Sequence, residues 1–353
     1  MVYQKVLENE TLNIFQELLA LPNPTSREEK VAARIREFAD SWGYESEQDF
    51  AGNVLVRVKG CRKSNRVVMT ASHMDEIGLV VTGINKDGSL RVHKLGGMLP
   101  WKIGERPVEI LTDIGDTITG VTSFGAGHSQ VGKNEITWER MRVLTGYAPE
   151  KLKELGVRVG SLAVPAMNFR GPTVFGDPED PTIGAWIYDN RLGCAFQLSV
   201  LKKLSEEKQK PSCDWIFAFP KQEEVKGNGI KPLAIREQPD VLIAVDGGTI
   251  FSGLDIALDQ GPVIKSKDKL ADMHFDVILE LQKAAKRANL NPEYSVTDVA
   301  YTDASLALQA GGPMRVGNIG YTKGNSHGYE VVKYSMLIKF FKFLYEVVTG
   351  FTP

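Results

Sequence analysis

The sequence predicts an α/β fold in which a mainly parallel sheet is interrupted by an inserted β-rich domain. The chain has 353 residues, more than one domain usually contains. Strand and helix patterns alternate near both ends of the chain, which is typical of parallel α/β sheets. Between about residues 76 and 172 the pattern changes to short β-like segments with glycine-rich turns. We therefore predict one domain over 1–75 plus 173–353 and a second over 76–172.

The first part of the chain is expected to contain a surface helix followed by two strands. Residues 26–40 repeat apolar side chains at the spacing of a helix that buries one face. Apolar and β-branched residues then dominate two stretches, which begin at Asn53 and at Arg66. Because the second stretch leads directly to His73, this histidine should lie where a buried strand ends.

The inserted segment begins with a β-hairpin pattern, in which the runs LVVTGI and SLRVHKL flank the turn-forming residues Lys86 to Gly88. After residue 172, helices and strands alternate again. In order, the pattern predicts a helix over 190–207, strands from 214 and 240, a helix over 270–288, strands near 294–299 and 315–320, and a helix from about 331. This alternation favours a mainly parallel sheet.

Composition excludes several classes of partner. The 42 basic and 44 acidic residues are interleaved and give a net charge of -2, so the chain has no electrostatic surface for nucleic acid or anionic lipid. No apolar run approaches the roughly 18 residues that a membrane helix needs, and the N-terminus lacks the pattern of a signal peptide. We therefore expect a cytoplasmic protein that binds peptides or small molecules, with no nucleic-acid or membrane partner.

The cysteines exclude two further kinds of site. Cys61, Cys194 and Cys213 are odd in number and widely separated, which argues against a disulfide framework and against a thiolate zinc cage. Any metal site must therefore use nitrogen and oxygen ligands.

Candidate functional residues follow apolar runs at five places. In open α/β sheets, ligands bind beyond the carboxyl ends of the strands, so titratable residues at strand exits are the first candidates. They are His73 and Asp75, Asp189, Glu223 and Glu224, Asp246, and His327. These residues are far apart in the sequence, as expected for a site that the fold assembles.

The residue types suit a pair of divalent metal ions. Two histidines and several carboxylates can bind zinc or cobalt, with manganese as an alternative. A carboxylate can bridge two ions, so Asp189 could join them. His73 and Asp246 would then complete one ligand set, and Glu224 and His327 the other.

Glu223 and Asp75 are the candidates for supporting catalysis. Water between two cations loses a proton near neutral pH and becomes a nucleophile, while the ions polarise a carbonyl oxygen. A base that does not bind metal is still required, and Glu223 could take the proton of this bridging water and pass it to a leaving amine. Asp75 lies two residues after His73 and could orient the metal-bound imidazole.

Each of these residues also has a purely structural explanation. A single histidine at a strand end is more often a satisfied polar group than a ligand. A Glu-Glu pair is usually solvated surface, and an aspartate before two glycines is commonly a turn. Their joint occurrence after apolar strands is what favours a metal-dependent hydrolase.

At these residues the sequence resembles the TET or glutamyl-aminopeptidase-like metallopeptidases, family forty-two, some relatives of which carry endoglucanase-like names. The similar stretches cover nearly the whole chain. They are PNPTSREEKVA, SHMDEIGLVV, KLGGMLPWKIGERPVEI, ELGVRVG, YDNRLGC, QEEV, VDGG, GPVI, YTDAS and SHGYEVV. The strings HMDEIG and DNRLGC are specific, whereas the shortest ones have meaning only in this order.

The resemblance implies a function and an assembly. It implies a di-metal aminopeptidase that removes N-terminal residues from peptides, with the five metal ligands named above and Asp189 as their bridge. It marks Glu223 as the proton acceptor and Asp75 as the catalytic support of His73. It also implies that the inserted domain is barrel-like or PDZ-like and mediates dimerisation, within a homo-oligomer that can reach a dodecamer.

Three loops depart from the family pattern beside these residues. After QEEV the chain continues KGNG, where the family usually has GLRGA. His327 lies in KGNSHGYE instead of between Arg-Tyr and Ser-Pro, and VAYTDAS replaces a glycine-rich approach to TDA. Because such loops would shape the substrate pocket, another di-metal amidohydrolase, such as a deacetylase or a carboxypeptidase-like enzyme, stays open. A glycosidase that uses its carboxyl groups without metal and a non-catalytic homologue are the further alternatives.

Overall fold

The computed structural model describes residues 3–62, 65–126, 136–250 and 256–353. Its strands form an eight-stranded mixed sheet, a closed six-stranded barrel and a three-stranded sheet. The strands are β1 Ser46–Gln48, β2 Val54–Val58, β3 Val67–Ala71, β4 Gly78–Ile84, β5 Leu90–Leu95, β6 Pro107–Leu111, β7 Thr117–Ser123, β8 Arg142–Leu144, β9 Leu162–Pro165, β10 Thr173–Phe175, β11 Thr182–Ala185, β12 Asp214–Phe219, β13 Val241–Thr249, β14 Val263–Lys267, β15 Glu293–Val296, β16 Val316–Lys323 and β17 Glu330–Lys333. The helices are α1 Gln4–Leu7, α2 Glu10–Leu19, α3 Glu29–Ser41, α4 Pro100–Ile103, α5 Pro149–Glu154, α6 Arg191–Glu207, α7 Ile230–Glu237, α8 Phe275–Arg287, α9 Asp303–Gln309 and α10 Tyr334–Gly350.

The eight-stranded sheet has the strand order β1-β2-β12-β3-β13-β16-β14-β15. Its four middle strands, β12, β3, β13 and β16, run parallel, whereas β2 and β14 are antiparallel to their inner neighbours. Residues 241–245 of β13 are all apolar and buried because helices cover both faces, with α6 and α10 on one side and α7 and α9 on the other. The carboxyl ends of the four parallel strands therefore meet at one edge of the sheet.

Strands β4 to β9 close into a barrel with the order β4-β5-β8-β7-β6-β9. Within it, β4 and β5 form the antiparallel hairpin predicted around Lys86 to Gly88. The barrel has its own apolar core, which also takes in Trp186 and Ile187 from the segment after β11. These two side chains connect the barrel to the rest of the chain by packing. The limits of the two domains and the dimerising role of the insert stay predictions.

A buried ion cluster lies where the chain enters and leaves the barrel. Oε1 of Glu76 accepts hydrogen bonds from Nη2 of Arg191 at 2.8 Å and from Nη1 of Arg170 at 3.1 Å. Oε2 of the same carboxylate accepts from Nε1 of Trp186 at 3.2 Å. All four side chains are almost completely buried, so each charge depends on the others for solvation. The cluster holds the start of β4, the end of the barrel segment and the start of α6 together.

The mixed α/β sheet with a separate β-barrel confirms the predicted fold class. The main differences from the predicted elements concern where helices begin. The helix predicted over 26–40 starts at Glu29, since Ser26 adopts a left-handed backbone with φ of 79°. The helix predicted from about 331 starts at Tyr334, because the preceding four residues form β17 and pair with β11.

Several elements have no counterpart in the sequence prediction. The small sheet of β10, β11 and β17 and the short helices α7 and α9 were not expected. The helix predicted over 270–288 begins at Phe275, because the Asp268 carboxylate accepts the backbone N–H groups of Leu270 and Ala271 in a turn. Among the described residues, no helix combines the length and apolarity that crossing a membrane would require.

Candidate metal centre and active site

The parallel strands bring the predicted site residues to one edge of the sheet. His73 lies just beyond β3, Asp246 lies in the second half of β13, and His327 follows β16. Glu223 and Glu224 follow β12 in the same way. Asp189 arrives from the other direction, in the segment between β11 and α6. The sheet therefore places residues that are up to 254 positions apart in one small volume, as expected for a topological switch point.

The ligand atoms form two groups that share one aspartate. His73, Asp189 and Asp246 each offer one ligand atom within 4.8 Å of the others, and so do Asp189, Glu224 and His327. Oδ1 of Asp189 lies 3.1 Å from Nε2 of His73, and Oδ2 lies 3.8 Å from Nε2 of His327. Each carboxylate oxygen of Asp189 thus faces a different group, which is the arrangement that a bridging ligand requires.

The donor set fits a pair of divalent cations. Oε1 of Glu224 is buried without a hydrogen-bond partner and lies 3.9 Å from Nε2 of His327. A buried carboxylate oxygen that lacks any partner is costly, and a cation between Glu224, Asp189 and His327 would remove that cost. The nitrogen and oxygen donors suit zinc, cobalt or manganese, and the described residues bring no thiolate into either group.

The imidazole rings are oriented for binding through Nε2. Nδ1 of His327 lies 2.6 Å from the carbonyl oxygen of Gly97, to which an N–H at this position donates. Nδ1 of His73 lies 3.3 Å from Oδ1 of Asp75. Both contacts place the ring proton on Nδ1 and leave the lone pair of Nε2 free for a metal. A Cβ atom at Gly97 would lie about 3.0 Å from the His327 ring, so any larger residue there would push the ring by a few tenths of an ångström.

Burial and mutual repulsion shift the pKa values of the carboxyl groups. Burial raises the pKa of Glu223 well above its ordinary value, and Asp303, Glu224 and Asp246 add to the shift. Burial likewise raises the pKa of Glu224 to about 7. Burial also opposes ionisation of Asp189, but Lys323 and His73 hold the pKa of this carboxyl well below its usual range. Asp189 is therefore an anion at neutral pH. Too little positive charge surrounds Glu223 and Glu224 to keep both of these carboxyl groups ionised as well.

Glu223 lies beside the two groups without belonging to either. Its Oε2 atom is 3.9 Å from Nε2 of His73, and its side chain lines the cavity in front of the site. The cavity has a volume of about 850 Å3 and is bordered by both the main sheet and the barrel loop that carries Gly97. A substrate bound there would contact Glu223 directly. This is the position that a general base requires.

Asp75 has a wider part in the site than the sequence indicated. Its carboxylate accepts the backbone N–H of Glu223 at 3.0 Å, the backbone N–H of Glu224 at 3.3 Å and the hydroxyl of Thr25 at 2.8 Å. It also faces His73, as described above. One buried carboxylate therefore orients the imidazole and the Glu-Glu turn together.

Lys323 and Glu330 were missed at the sequence level. The fully buried ammonium of Lys323 lies 2.7 Å from Oδ2 of Asp189 and 2.5 Å from Oε1 of Glu330. Glu330 also accepts the backbone N–H groups of His327 and Asp189, each at 3.0 Å. The string KGNSHGYE contains both residues, but a lysine at the end of an apolar strand usually reaches solvent, so nothing singled it out.

Asp303 is a third residue without a predicted role. It begins α9, is almost completely buried, and its Oδ1 atom has no hydrogen-bond partner. Burial raises the pKa of Asp303 to about 8, and Asp246, Asp75 and Asp189 contribute further. The TDA motif that contains Asp303 was noted in the sequence, but only the fold shows that its buried carboxyl interacts electrostatically with residues of the centre.

A family model, related sequences and solved structures all indicate the family that the sequence resembles. A family model described as M42 glutamyl aminopeptidase matches residues 52–343. The glutamyl aminopeptidase of Lactococcus lactis is 26% identical over 302 residues, which cover 82% of each chain. The lysyl aminopeptidase of Pyrococcus furiosus is 31% identical over 205 residues, or 56% of this chain and 55% of the relative.

Among solved structures, the aminopeptidase APDkam598 from the archaeon Desulfurococcus kamchatkensis superposes with a TM-score of 0.84 at 27% identity. The match covers 96% of this chain and 94% of the relative. Because the family model spans most of the chain, including every candidate metal ligand and Glu223, the chain is a peptidase of the M42 glutamyl aminopeptidase family.

Proposed function

We propose that the protein is a di-metal aminopeptidase that hydrolyses the N-terminal residue from peptides by attack of water, with Glu223 as the general base. The observation that carries the proposal is the pair of ligand groups joined by Asp189, with a buried carboxylate beside them that belongs to neither. A two-metal hydrolase needs this combination of a shared ligand and a separate base.

Each of the two residue groups would supply the ligands of one ion. One ion would be held by His73, Asp189 and Asp246, and the other by Asp189, Glu224 and His327. Two divalent ions at these positions would lower the pKa of water and polarise the carbonyl oxygen of the scissile peptide bond. We propose zinc or cobalt for both positions, with manganese as an alternative.

The side chains of the centre have separate tasks in this reaction. Glu223 would accept a proton from the attacking water and deliver it to the leaving amine, for which its position beside both ligand groups is suitable. Asp75 holds the backbone of Glu223 and the ring of His73 in fixed positions relative to each other through the contacts described above.

Three other candidate functions differ in how much of the site they would use. A deacetylase or carboxypeptidase-like amidohydrolase would use the same centre, and the unusual loops around Lys226 and His327 are the reason to keep it as the second candidate. A glycosidase needs two carboxyl groups and would leave both histidines without a function. A non-catalytic homologue should lack a ligand or the base, and all of them are present.

We also propose that the protein is a homo-oligomer. Two solved structures with TM-scores of 0.84 are described as a dodecamer and as a tetrahedron or octahedral shell of a Pyrococcus horikoshii peptidase, at 24% identity. Light scattering on the purified protein would give its mass. A single 39.0 kDa species at micromolar concentration would contradict this proposal.

Substrate panels and metal analysis test the main proposal together. We expect hydrolysis of aminoacyl-anilides that have a free amine, no hydrolysis of their N-acetyl forms, and loss of activity in excess chelator. Metal analysis should find two ions per chain, one ion in the Asp246→Asn variant and none in Asp189→Asn. Preferred hydrolysis of the N-acylated substrates would instead favour the deacetylase, and full activity in chelator would exclude a metal-dependent reaction.

A further inference from the structure

The loop between α2 and α3 contacts two segments that carry candidate site residues. Residues 23–28, which we call the α2–α3 loop, lie against residues 73–76, the segment that follows β3. The same loop contacts Lys221 and Gln222, which directly precede Glu223. The two ligand groups found in the described chain contain no residue of this loop. Its contacts with the site therefore need an explanation of their own.

Buried hydrogen bonds fix the α2–α3 loop to the segment after β3. The backbone N–H of Thr25 donates to the carbonyl oxygen of Glu76 at 3.0 Å, and the backbone N–H of Glu76 donates to the carbonyl oxygen of Asn23 at 3.1 Å. The side-chain amide of Asn23 donates to the carbonyl oxygen of Met74 at 2.9 Å. All four residues are completely buried, so water does not compete for these bonds. They set the position of Thr25 relative to Asp75.

The hydroxyl of Thr25 makes the shortest contact of the Asp75 carboxylate. It donates to Oδ2 of Asp75 at 2.8 Å, whereas the backbone N–H of Glu224 reaches the same oxygen at 3.3 Å. The carbonyl oxygen of Glu76 is the other acceptor near this hydroxyl, at the longer distance of 3.4 Å. Because hydrogen bonds to an ionised group are the stronger ones, the hydroxyl proton belongs to Asp75.

The orientation of this carboxylate decides what its other oxygen can hold. Oδ1 of Asp75 accepts the backbone N–H of Glu223 at 3.0 Å and lies 3.3 Å from Nδ1 of His73. The terminal torsion of an aspartate is soft, so turning Oδ2 away from Thr25 also moves Oδ1 away from both partners. Nδ1 of His73 lies 3.2 Å from the carbonyl oxygen of Asp75 as well. Loss of the Thr25 hydroxyl should therefore loosen the imidazole without releasing it.

The α2–α3 loop also holds the residues just before Glu223. Nζ of Lys221 lies 3.1 Å from Oε2 of the fully buried Glu28, and Nε2 of Gln222 donates to the hydroxyl of Ser26 at 3.1 Å. One loop thus contacts the candidate base from the side that precedes it in the chain and, through Asp75, from its own backbone N–H.

We propose that Thr25 is a positioning residue, which holds the Asp75 carboxylate between the His73 ring and the backbone of Glu223. This inference rests on the aminopeptidase function proposed above and deepens it. Thr25 would touch neither substrate nor metal and would act only through Asp75. A threonine that merely satisfied a buried carboxylate would add stability and leave the properties of the centre unchanged.

The main test is the substitution Thr25→Val, which keeps the shape of the side chain and removes its hydroxyl. We expect zinc binding, measured by calorimetry, to weaken about 3- to 10-fold at the position formed by His73, because a metal-bound histidine depends on the group that holds its other nitrogen. At saturating zinc, kcat for an aminoacyl-anilide should fall on the order of tenfold while KM changes by less than about twofold. Thr25→Ser restores the hydroxyl and should recover both zinc affinity and kcat.

A matched control and a double variant separate this role from a general loss of stability. Thr11→Val removes another buried hydroxyl, which lies 2.9 Å from the hydroxyl of Ser199 in α6, and should lower the Tm without changing zinc affinity or kcat. In an Asp75→Ala background, Thr25→Val should cause no further loss of zinc affinity, since the group through which it acts is gone. Thr25→Ala removes the same hydroxyl and gives the measurement if Thr25→Val does not fold.

The zinc measurement keeps this inference separate from the proposed reaction. Wild-type zinc affinity in Thr25→Val, an equal loss in Thr11→Val, or a further loss in the Asp75→Ala background would each overturn the role of Thr25. If no anilide is hydrolysed but Thr25→Val weakens zinc binding and Thr25→Ser restores it, the reaction is wrong and the role of Thr25 stands. If anilides are hydrolysed and Thr25→Val binds zinc as wild type does, the reaction stands and the role of Thr25 is wrong.

Discussion

Lys323 donates a hydrogen bond to Oδ2 of Asp189 over 2.7 Å, so a permanent positive charge lies against the carboxylate that the two candidate metal positions share. Oδ2 is also the oxygen that faces His327. A carboxylate oxygen has room for two partners, so the lysine does not prevent metal binding. It does, however, withdraw electron density from this oxygen and repel a cation placed beside it. The position formed by Asp189, Glu224 and His327 should therefore bind metal more weakly than the position at His73 and Asp246.

Metal titration can measure this difference. In wild-type protein we expect two binding steps in calorimetry with cobalt or zinc, the second weaker than the first. Removing the lysine and its partner charge together, in Lys323→Met with Glu330→Gln, should strengthen the second step on the order of tenfold and leave the first nearly unchanged. The double variant avoids leaving Glu330 as an unpaired buried anion. Two equal steps in wild-type protein would show that Lys323 does not distinguish the positions.

Glu223→Gln should remove catalysis and leave the metals in place. The amide has almost the shape of the carboxylate but cannot accept a proton, so kcat should fall about 10²- to 10⁴-fold. Because Glu223 belongs to neither ligand group, metal content measured by atomic absorption should remain two ions per chain. Glu150→Gln, in the exposed part of α5, serves as the control and should leave both quantities unchanged. A large loss of metal in Glu223→Gln would make Glu223 a ligand instead of the base.

The sequence identified the parts of the centre that depend on strand ends. All six residues were chosen because they follow apolar runs. The parallel strands bring His73, Glu223, Glu224, Asp246 and His327 together, and Asp189 joins them from the segment after β11. Such placement depends on regular geometry, since parallel strands that share an edge must end near one another. The alternation of strands and helices predicted the sheet for the same reason.

Residues that act through tertiary contacts could not be found in this way. Lys323 and Glu330 meet because the loop between them turns back through left-handed backbone at Asn325 and His327, with φ of 60° and 58°. Non-glycine residues adopt this conformation rarely, and no pattern of residues in the sequence predicts it at these two positions.

Glu76→Gln should destabilise the protein without changing the metal centre. The substitution would leave the buried guanidinium groups of Arg170 and Arg191 without their counter-ion, which typically costs about 3–5 kcal/mol. Urea denaturation followed by tryptophan fluorescence would measure the loss. The matched control is Glu154→Gln, which breaks an exposed pair with Lys151 and should change stability by less than about 1 kcal/mol. Equal stability of the two variants would mean that the cluster does not hold the barrel junction.

The metal-free protein should become less stable as the pH rises from about 5 to 8. Glu224 and Asp303 have folded-state pKa values of about 7 and about 8, far above those of an unfolded chain. At a pH between the unfolded-state and the folded-state pKa values, the folded state binds more protons than the unfolded state, so each rise in pH favours unfolding. The pKa of His73, which its bonds to Asp189 and Asp75 raise despite burial, contributes in the same direction. The lowered pKa of Asp189 stabilises the folded state by the same amount throughout this range, because that carboxyl titrates only at lower pH.

Metal should reverse this dependence, because the carboxylates must be ionised to bind it. We expect the Tm of chelator-treated protein to fall between pH 5.5 and pH 8, and the increase in Tm on adding zinc to be larger at pH 8 than at pH 5.5. Differential scanning fluorimetry at constant ionic strength would measure both quantities. The Asp189→Asn variant, which lacks the shared ligand, should show no increase at either pH. A metal-induced increase that is largest at pH 5.5 would mean that these carboxylates do not bind the ion.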